Sequence, residues 1–427
     1  MRVLKVWDGE YPWDVRAEKV CRALTKAGHE VHMVARNRDV RTLREELDEC
    51  TVHRMPPFRL FGARLDAASQ FPAFFNPRWI RLMKRIGRAE EAEVVLVRDL
   101  PLAPTAIYIG RSLGIPVILD MAENYPAMIR DLWTTGSTKP GDFIVRNPKA
   151  VEAVERWTLE RIDHVLVVVE ESRDRLVEVL GATPERITVV GNTPSSERLS
   201  FEGGDGGLRT HTDGSEAPVF RLTYLGLLEH ARGVGAVIEA VGICRSRGVP
   251  VEFTIIGDGR AAPDFKRKTR ELGLDENAVR MLGFVPYEEA LEIVAAADAG
   301  VIPHLANESW NTTIPNKLFD YMAAGIAVLT SEARPAKRVV DSTGCGLSFL
   351  GGDASSAAAA IESMWRSGLL REFGRRGREA VRTHFNWEKD GGRLVRAVEG
   401  VVRRAGATVV TPGRLADDEP TGSVGIR

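Results

Sequence analysis

The chain has 427 residues, too many for one hydrophobic core and enough for two or three domains of ordinary size. Its 58 basic and 59 acidic residues leave a net charge of −1, so no overall positive field draws in nucleic acid. The four cysteines, Cys21, Cys50, Cys244 and Cys345, form no C-x-x-C and stand beside no His at metal-ligand spacing, which points to no metal and to reduced thiols in a cytoplasm.

Apolar runs rich in Val and Ile alternate with amphipathic stretches along the chain. That is the pattern of α/β folds, in which strands buried on both faces are joined by crossover helices. The opening run passes straight into polar sequence, so neither a signal peptide nor a membrane span is read there and a cytoplasmic protein is expected. Strands are predicted at 3–7, 31–35, 94–97, 117–120, 165–169 and 187–190. The loop 8–16, with one Gly, two aromatics and several charges, precedes a helix over 16–27. Its Glu10, Trp13 and Arg16 suit recognition of an acceptor's hydroxyls and C–H faces, since rings stack and charged groups hydrogen-bond. A capped helix entry with Trp13 in the core is the plainer alternative.

Residues 78–88 predict a helix with Arg78, Arg81, Arg85 and Arg88 on one face and Trp79, Leu82, Met83 and Ile86 on another. Such a face offers peripheral contact with an anionic membrane, at about 1 kcal/mol per basic residue near the surface. An ordinary packing helix with a solvated basic face fits the same pattern.

The stretch 200–218, rich in Gly, Ser, Thr and Asp, cannot pack a core and reads as a linker. It separates a first domain over 1–199 from a second over 219–385, whose strands are predicted at 221–225, 252–256, 280–282, 300–303 and 327–330. A helix over about 386–403 follows, and 405–427 reads as a loose tail.

The most telling segment is 314–328. A polar loop enters a short helix after Pro315, the helix stops at Gly325, and a buried strand follows. A helix start gathers unpaired N–H groups and positive dipole, which suits a diphosphate. Asn316 and Lys317 lie in its first turn and Asp320 one turn on, so a cation for phosphate and a carboxylate for sugar hydroxyls face one place. The segment resembles the nucleotide-sugar signature of the family 4 retaining glycosyltransferases (glycosyl transferases group 1), in the form P-N-K-x-F-[DE]-Y-x-A-A-G. Gly28–His29–Glu30–Val31 is similar to that family's entry to the second strand, 189–193 to the end of its first domain, and 385–387 to the segment that crosses back.

The resemblance implies a GT-B fold: two Rossmann-like parallel-sheet domains facing across a cleft, with substrates meeting at the carboxyl ends of the strands. It implies transfer of a hexose-type sugar from a nucleotide-diphosphate-sugar donor to a glycan or lipid-linked acceptor, in cell-surface polysaccharide or glycoconjugate synthesis. No cofactor or metal is implied, and the site would lie in the cytoplasm or at the inner face of the plasma membrane. Donor phosphates would meet Gly226, Arg232, Gly233, Asn316 and Lys317. Asp320 would bind the ribose in place of the usual Glu, and Gly257 and Val285 would lie near the nucleotide. The family's further Arg after the first Gly is Leu227 here, and Lys317 is the candidate to replace that charge beside Arg232.

Two departures stand out. Residues 119–126 align with D-x-H-E-x-Y-P, but Ala122 stands where the family's His would be; Glu123, the nearest carboxylate, is the catalytic candidate that orients the acceptor or stabilises positive charge at the anomeric carbon, with a structural partner for a cation such as Arg16 as its alternative. Thr312 stands where the first Glu of E-x7-E usually is, leaving Glu308 and Thr312 as donor-sugar contacts. These departures keep two rivals open: a non-catalytic subunit that binds nucleotide sugar or a partner transferase, and a nucleotide-sugar epimerase or hydrolase.

Overall fold

A computed structural model describes residues 1–57, 73–134, 147–195 and 219–409. The first sheet contains β1 (Arg2–Val6), β2 (Glu30–Ala35), β3 (Arg44–Leu47), β4 (Cys50–Arg54), β5 (Val94–Arg98), β6 (Val117–Met121), β7 (His164–Val167) and β8 (Ile187–Val189). Their order is β3-β4-β2-β1-β5-β6-β7-β8, parallel except for the β3–β4 pair. The second contains β9 (Phe220–Leu225), β10 (Val251–Ile256), β11 (Val279–Gly283), β12 (Ala299–Ile302), β13 (Ala327–Ser331) and β14 (Gly346–Phe349). All its pairs are parallel, in the order β11-β10-β9-β12-β13-β14. The two α/β sheets form the GT-B architecture.

Three strands escaped the sequence pattern. Arg44–Leu47 is charged and half-exposed, as an edge strand is. It pairs antiparallel with Cys50–Arg54, and Gly346–Phe349 is a four-residue edge on the second sheet.

In each sheet the strand order reverses beside the first strand, at β1/β5 and at β9/β12. Loops leaving the carboxyl ends of neighbouring strands diverge at such a point and open a crevice. The loop after β1, the turn after β5, and the loops after β9 and β12 therefore carry the site.

The helix Trp387–Val409 leaves the second sheet and packs on the helix Val15–Lys26. Its Leu394, Val398 and Val401 are buried in one cluster with Val3, Val20 and Leu24. Trp387 N–H donates to the Pro194 carbonyl at 2.8 Å and the Thr193 hydroxyl donates to Asp390 at 2.7 Å, pinning the crossing. The helix continues to Val409, so 405–409 is not tail as expected. Residues 196–218, with the whole of the expected linker, and 410–427 lie outside the described residues.

The helix Pro77–Ala89 buries Trp79, Leu82, Met83 and Ile86 against the first sheet, while Arg81, Arg85 and Arg88 stay exposed. Its apolar face is therefore spent on the core and is not free to enter a bilayer. Among the described residues no helix is long and apolar enough to cross a membrane.

Candidate active site

The donor side is built where β9 ends. Gly226 has φ +140°, a conformation only glycine adopts without strain, and a Cβ there would sit 2.7 Å from Lys317 Nζ. The short turn His230–Arg232 follows, then Gly233 at φ +70° opens the helix Val234–Ser246. A side chain at Gly233 would collide with the Pro303 carbonyl oxygen, so the loops after β9 and β12 touch backbone to backbone.

Lys317 begins the helix Lys317–Ala324, which a left-handed Gly325 ends. Its side chain is buried at 7% exposure, and Nζ lies 3.8 Å from the centre of the Tyr224 ring. Among the described residues Nζ has no hydrogen-bond partner. Burial pushes its pKa well down, Arg232 adds to that, and Asp320 opposes it. His304, directly after Pro303, is 1% exposed, and neither ring nitrogen has a partner among the described residues. Its ring stacks on Trp310 at 4.0 Å; burial, then Lys317 and Arg232, holds it well below the usual imidazole range. Arg232 lies 5.3 Å from the Trp310 ring and bonds the Tyr224 hydroxyl, which burial nonetheless pushes up to about 12. Three basic groups thus gather at one spot, and two are desolvated with no hydrogen-bond partner among the described residues. Such an arrangement is costly unless an anion completes it.

Asp320 accepts from the Tyr287 hydroxyl at 3.0 Å and is half-buried. Val285 sits between β11 and that tyrosine's helix, beside Phe284, whose ring is 84% exposed. Gly257 N–H donates to the Gly283 carbonyl at 2.7 Å and joins the two strand ends. Asn316 is exposed and accepts from the Asn192 side-chain amide at 2.8 Å, a link across the domains.

Glu308 and Thr312 do not fit the donor-sugar role expected of them. Arg130, on the facing helix Tyr125–Thr134, pairs with the Glu308 carboxylate, and the Thr312 hydroxyl donates back to the Glu308 carbonyl at 2.9 Å. Thr312 also accepts from the Asn124 amide at 3.1 Å. Both residues are taken up in holding the domains together, with Arg338 on Glu170 and Glu171 doing the same further along.

On the first domain Glu123 stands beside Ala122. Its surface is open to the water of the cleft, yet protein walls surround it. That desolvation pushes its carboxyl up to about 7; Asp99 adds to the rise, while Arg98 and, from the opposite domain, Arg232 oppose it. Behind it lies a charge network. Arg98 bonds Asp14 at 3.0 Å and approaches Asp99 at 3.6 Å; Asp99, at φ +60°, accepts from the Ala122 N–H at 3.2 Å. Neither Arg98 nor Asp99 was singled out in the sequence, although an Arg-Asp pair directly after a Val-rich strand was a visible signal.

Arg16 is not an acceptor ligand. Its side chain is 1% exposed, bonded to Asp120 at 2.6 Å and donating to the Val190 carbonyl at 3.1 Å. Arg16 first, then Lys5 and Arg98, hold Asp120 down at about 2 against its burial. The pair is structural, and Arg16 is thereby not the cation for Glu123 either. Trp13 is 82% exposed, which rules out the core placement. Glu10 accepts from the Arg38 N–H at 2.6 Å, and its second oxygen has no partner among the described residues. Trp13 faces solvent and Glu10 is half-buried, both on the loop after β1; the sequence placed Arg16 with them only because it follows closely in the chain.

Residues 14–193 match the glycosyl transferase 4-like domain, and residues 219–367 match the glycosyl transferases group 1 domain. The chain belongs to the family 4-type glycosyltransferases. This glycosyltransferase is 26% identical over 420 residues to a glycogen synthase of Mycobacterium tuberculosis, covering 91% of this chain and 92% of that one. It shares its fold with sucrose-phosphate synthase from Thermosynechococcus elongatus, at a TM-score of 0.70 and 16% identity, over 96% of this chain and 100% of that one. It also shares it with Anabaena HepE in complex with UDP, at a TM-score of 0.68 and 13% identity, over 94% and 100%. The glycosyltransferase is accordingly an enzyme of the hexosyltransferase class.

Proposed function

We infer that this glycosyltransferase moves a hexose-type sugar from a nucleotide-diphosphate donor to a glycan or lipid-linked acceptor, with retention and without a metal. The observation that carries the reading is the unpaired, buried Lys317 Nζ behind Gly226, with His304 and Arg232 beside it. A diphosphate supplies the missing negative charge, and cations around it replace the Mg²⁺ that other enzymes use to neutralise a leaving diphosphate. Anabaena HepE, of the same fold, has been crystallised with UDP, which is in keeping with a nucleotide site here. Asp320, steadied by Tyr287, accepts from the ribose hydroxyls.

On the same-face route the acceptor oxygen bonds to the anomeric carbon as the bond to the diphosphate oxygen breaks. That departing oxygen takes the acceptor's proton. No protein base is required, which agrees with alanine at position 122. Ionised Glu123 stabilises the positive charge developing at the anomeric carbon. Trp13 and Glu10 receive the acceptor. The exposed Arg81, Arg85 and Arg88 hold the protein electrostatically at an anionic membrane surface on the cytosolic side, with no insertion.

Ala122 and Thr312, in place of the family's His and Glu, favour the one serious rival, a subunit that binds nucleotide sugar without turnover. The test is incubation of purified protein with a panel of nucleotide sugars, read by thermal shift and by product analysis. Stabilisation by one donor with slow release of its sugar supports transfer. Binding without turnover in the presence of acceptor supports the rival, and an epimerised donor overturns both.

A further inference from the structure

Away from the cleft, the first domain holds a second cluster of titratable groups that the transfer reaction does not use. His32 on β2 and His53 on β4 point to the same face of the sheet, since Val34, two residues after His32, is in register with His53. Both are buried, at 1% and 5% exposure. The helix Pro77–Ala89 covers this face, and Glu90, its capping residue, brings a half-buried carboxylate to the pair. His32 Nδ1 and His53 Nε2 are 3.2 Å apart, and the two Glu90 oxygens lie 3.9 Å from one nitrogen each. Two ligands about 2.0–2.1 Å from a tetrahedral centre are separated by about 3.3 Å, so the imidazoles already stand at the bite of a chelate. One carboxylate oxygen lies within 4.8 Å of both nitrogens and closes to that spacing with a shift of about an ångström, open to a side chain at a helix end.

We propose that His32, His53 and Glu90 form a site for a divalent transition-metal ion of the zinc type, with water in the fourth position. Two imidazoles and a carboxylate are a donor set that zinc accepts, and carboxylate sites with fewer nitrogens would suit harder ions instead. The outer shell is present as well. Glu30 places a carboxylate oxygen 3.2 Å from His32 Nε2, off the line of a good hydrogen bond; ligation through Nδ1 leaves the proton on Nε2, where a small ring rotation engages Glu30. Buried beside Glu90, His53 also has Arg44 and Arg85 within electrostatic reach. The two arginines repel an incoming cation. Glu30 and Glu90 offset them, so the site depends on both carboxylates.

Glu90 ends its helix just before β5 begins, at the end of the sheet opposite the cleft. The ion thus ties β2, β4 and the covering helix together as a staple and stands outside the transfer chemistry.

The test uses the full chain stripped with a chelator and titrated with Zn²⁺ against a competing chromophoric chelator, with Co²⁺ as a spectroscopic probe. One ion per chain, intense visible Co²⁺ bands of a tetrahedral site and a raised melting temperature are expected. Glu90→Gln, at a half-exposed helix end, keeps the fold and should weaken Zn²⁺ at least tenfold; His53→Gln should abolish the Co²⁺ bands. Absence of stoichiometric binding in the wild type overturns the proposal. So does binding that survives both substitutions, because the ion would then lie elsewhere. If His53→Gln fails to fold, Glu90→Gln decides alone.

Discussion

Replacing Lys317 by Met keeps the length of the side chain and its packing on Tyr224 and removes only the charge. In the free protein Nζ is buried with no hydrogen-bond partner among the described residues, so the substitution takes away a desolvated, unsatisfied amine and should leave the apo protein as stable or more so. The sign follows from titration. Lys317 titrates below the ordinary value of ~10.4, so in the free protein its protonation works against folding at every pH below that value, most fully below its depressed pKa. Donor binding reverses this by supplying the counter-charge. Loss of one charge-assisted contact of about 1.5–3 kcal/mol weakens a nucleoside diphosphate roughly 10- to 140-fold. Calorimetry with UDP and GDP measures both effects. The wild type should take up protons on binding, seen as a heat that changes with the buffer's ionisation enthalpy, and Lys317→Met should not. Unchanged affinity in the variant, or a wild type that binds without proton uptake at any pH up to the ordinary lysine range, refutes the phosphate role.

Glu123 titrates at about 7, above the free value of ~4.3, so its ionisation burdens the folded state as pH rises between those values, while the ionised form needed for transfer fills above 7. Turnover should therefore rise through pH ~7, and Glu123→Gln should lower kcat and erase that inflection; an unaltered profile returns Glu123 to a structural role. Asp320→Asn should preserve the melting temperature and the Tyr287 contact yet weaken nucleotide binding, since ribose hydroxyls lose an ionised acceptor. A cooperative loss of fold without a selective binding defect would identify Asp320 as structural. Arg16→Met should cost about 3–5 kcal/mol in denaturant unfolding by stranding buried Asp120, and the cost should shrink as pH falls from ~4 towards 2 and Asp120 protonates.

The parallel strands were legible because each is an uninterrupted Val- and Ile-rich run buried on both faces. Arg44–Leu47 was not, because an edge strand keeps its charges and loses the apolar signal. In the site, Lys317 and Asp320 could be read from their places on one helix turn, whereas Arg16 was misassigned. Its distance from the crevice in sequence is short, but its partner Asp120 lies on a strand 104 residues away, and only the packing of the helix Val15–Lys26 on the sheet reveals the pair. Glu308 and Thr312 failed for a related reason: their partners Arg130 and Asn124 belong to the other domain. The His32–His53–Glu90 cluster draws on two strands and a helix end, and no spacing rule along one segment reports it.

The helix Trp387–Val409 also bears on how the protein is made. Leu394, Val398 and Val401 complete the core that Val3, Val20 and Leu24 begin, and the ribosome delivers them only after the entire second sheet. The first domain therefore spends synthesis with an apolar stripe open along the helix Val15–Lys26. The second domain closes first, and its emergence brings the cover for its predecessor. Truncations before Leu394 leave that stripe bare, so a first half produced by itself is a substrate for chaperones and aggregation more than a working domain.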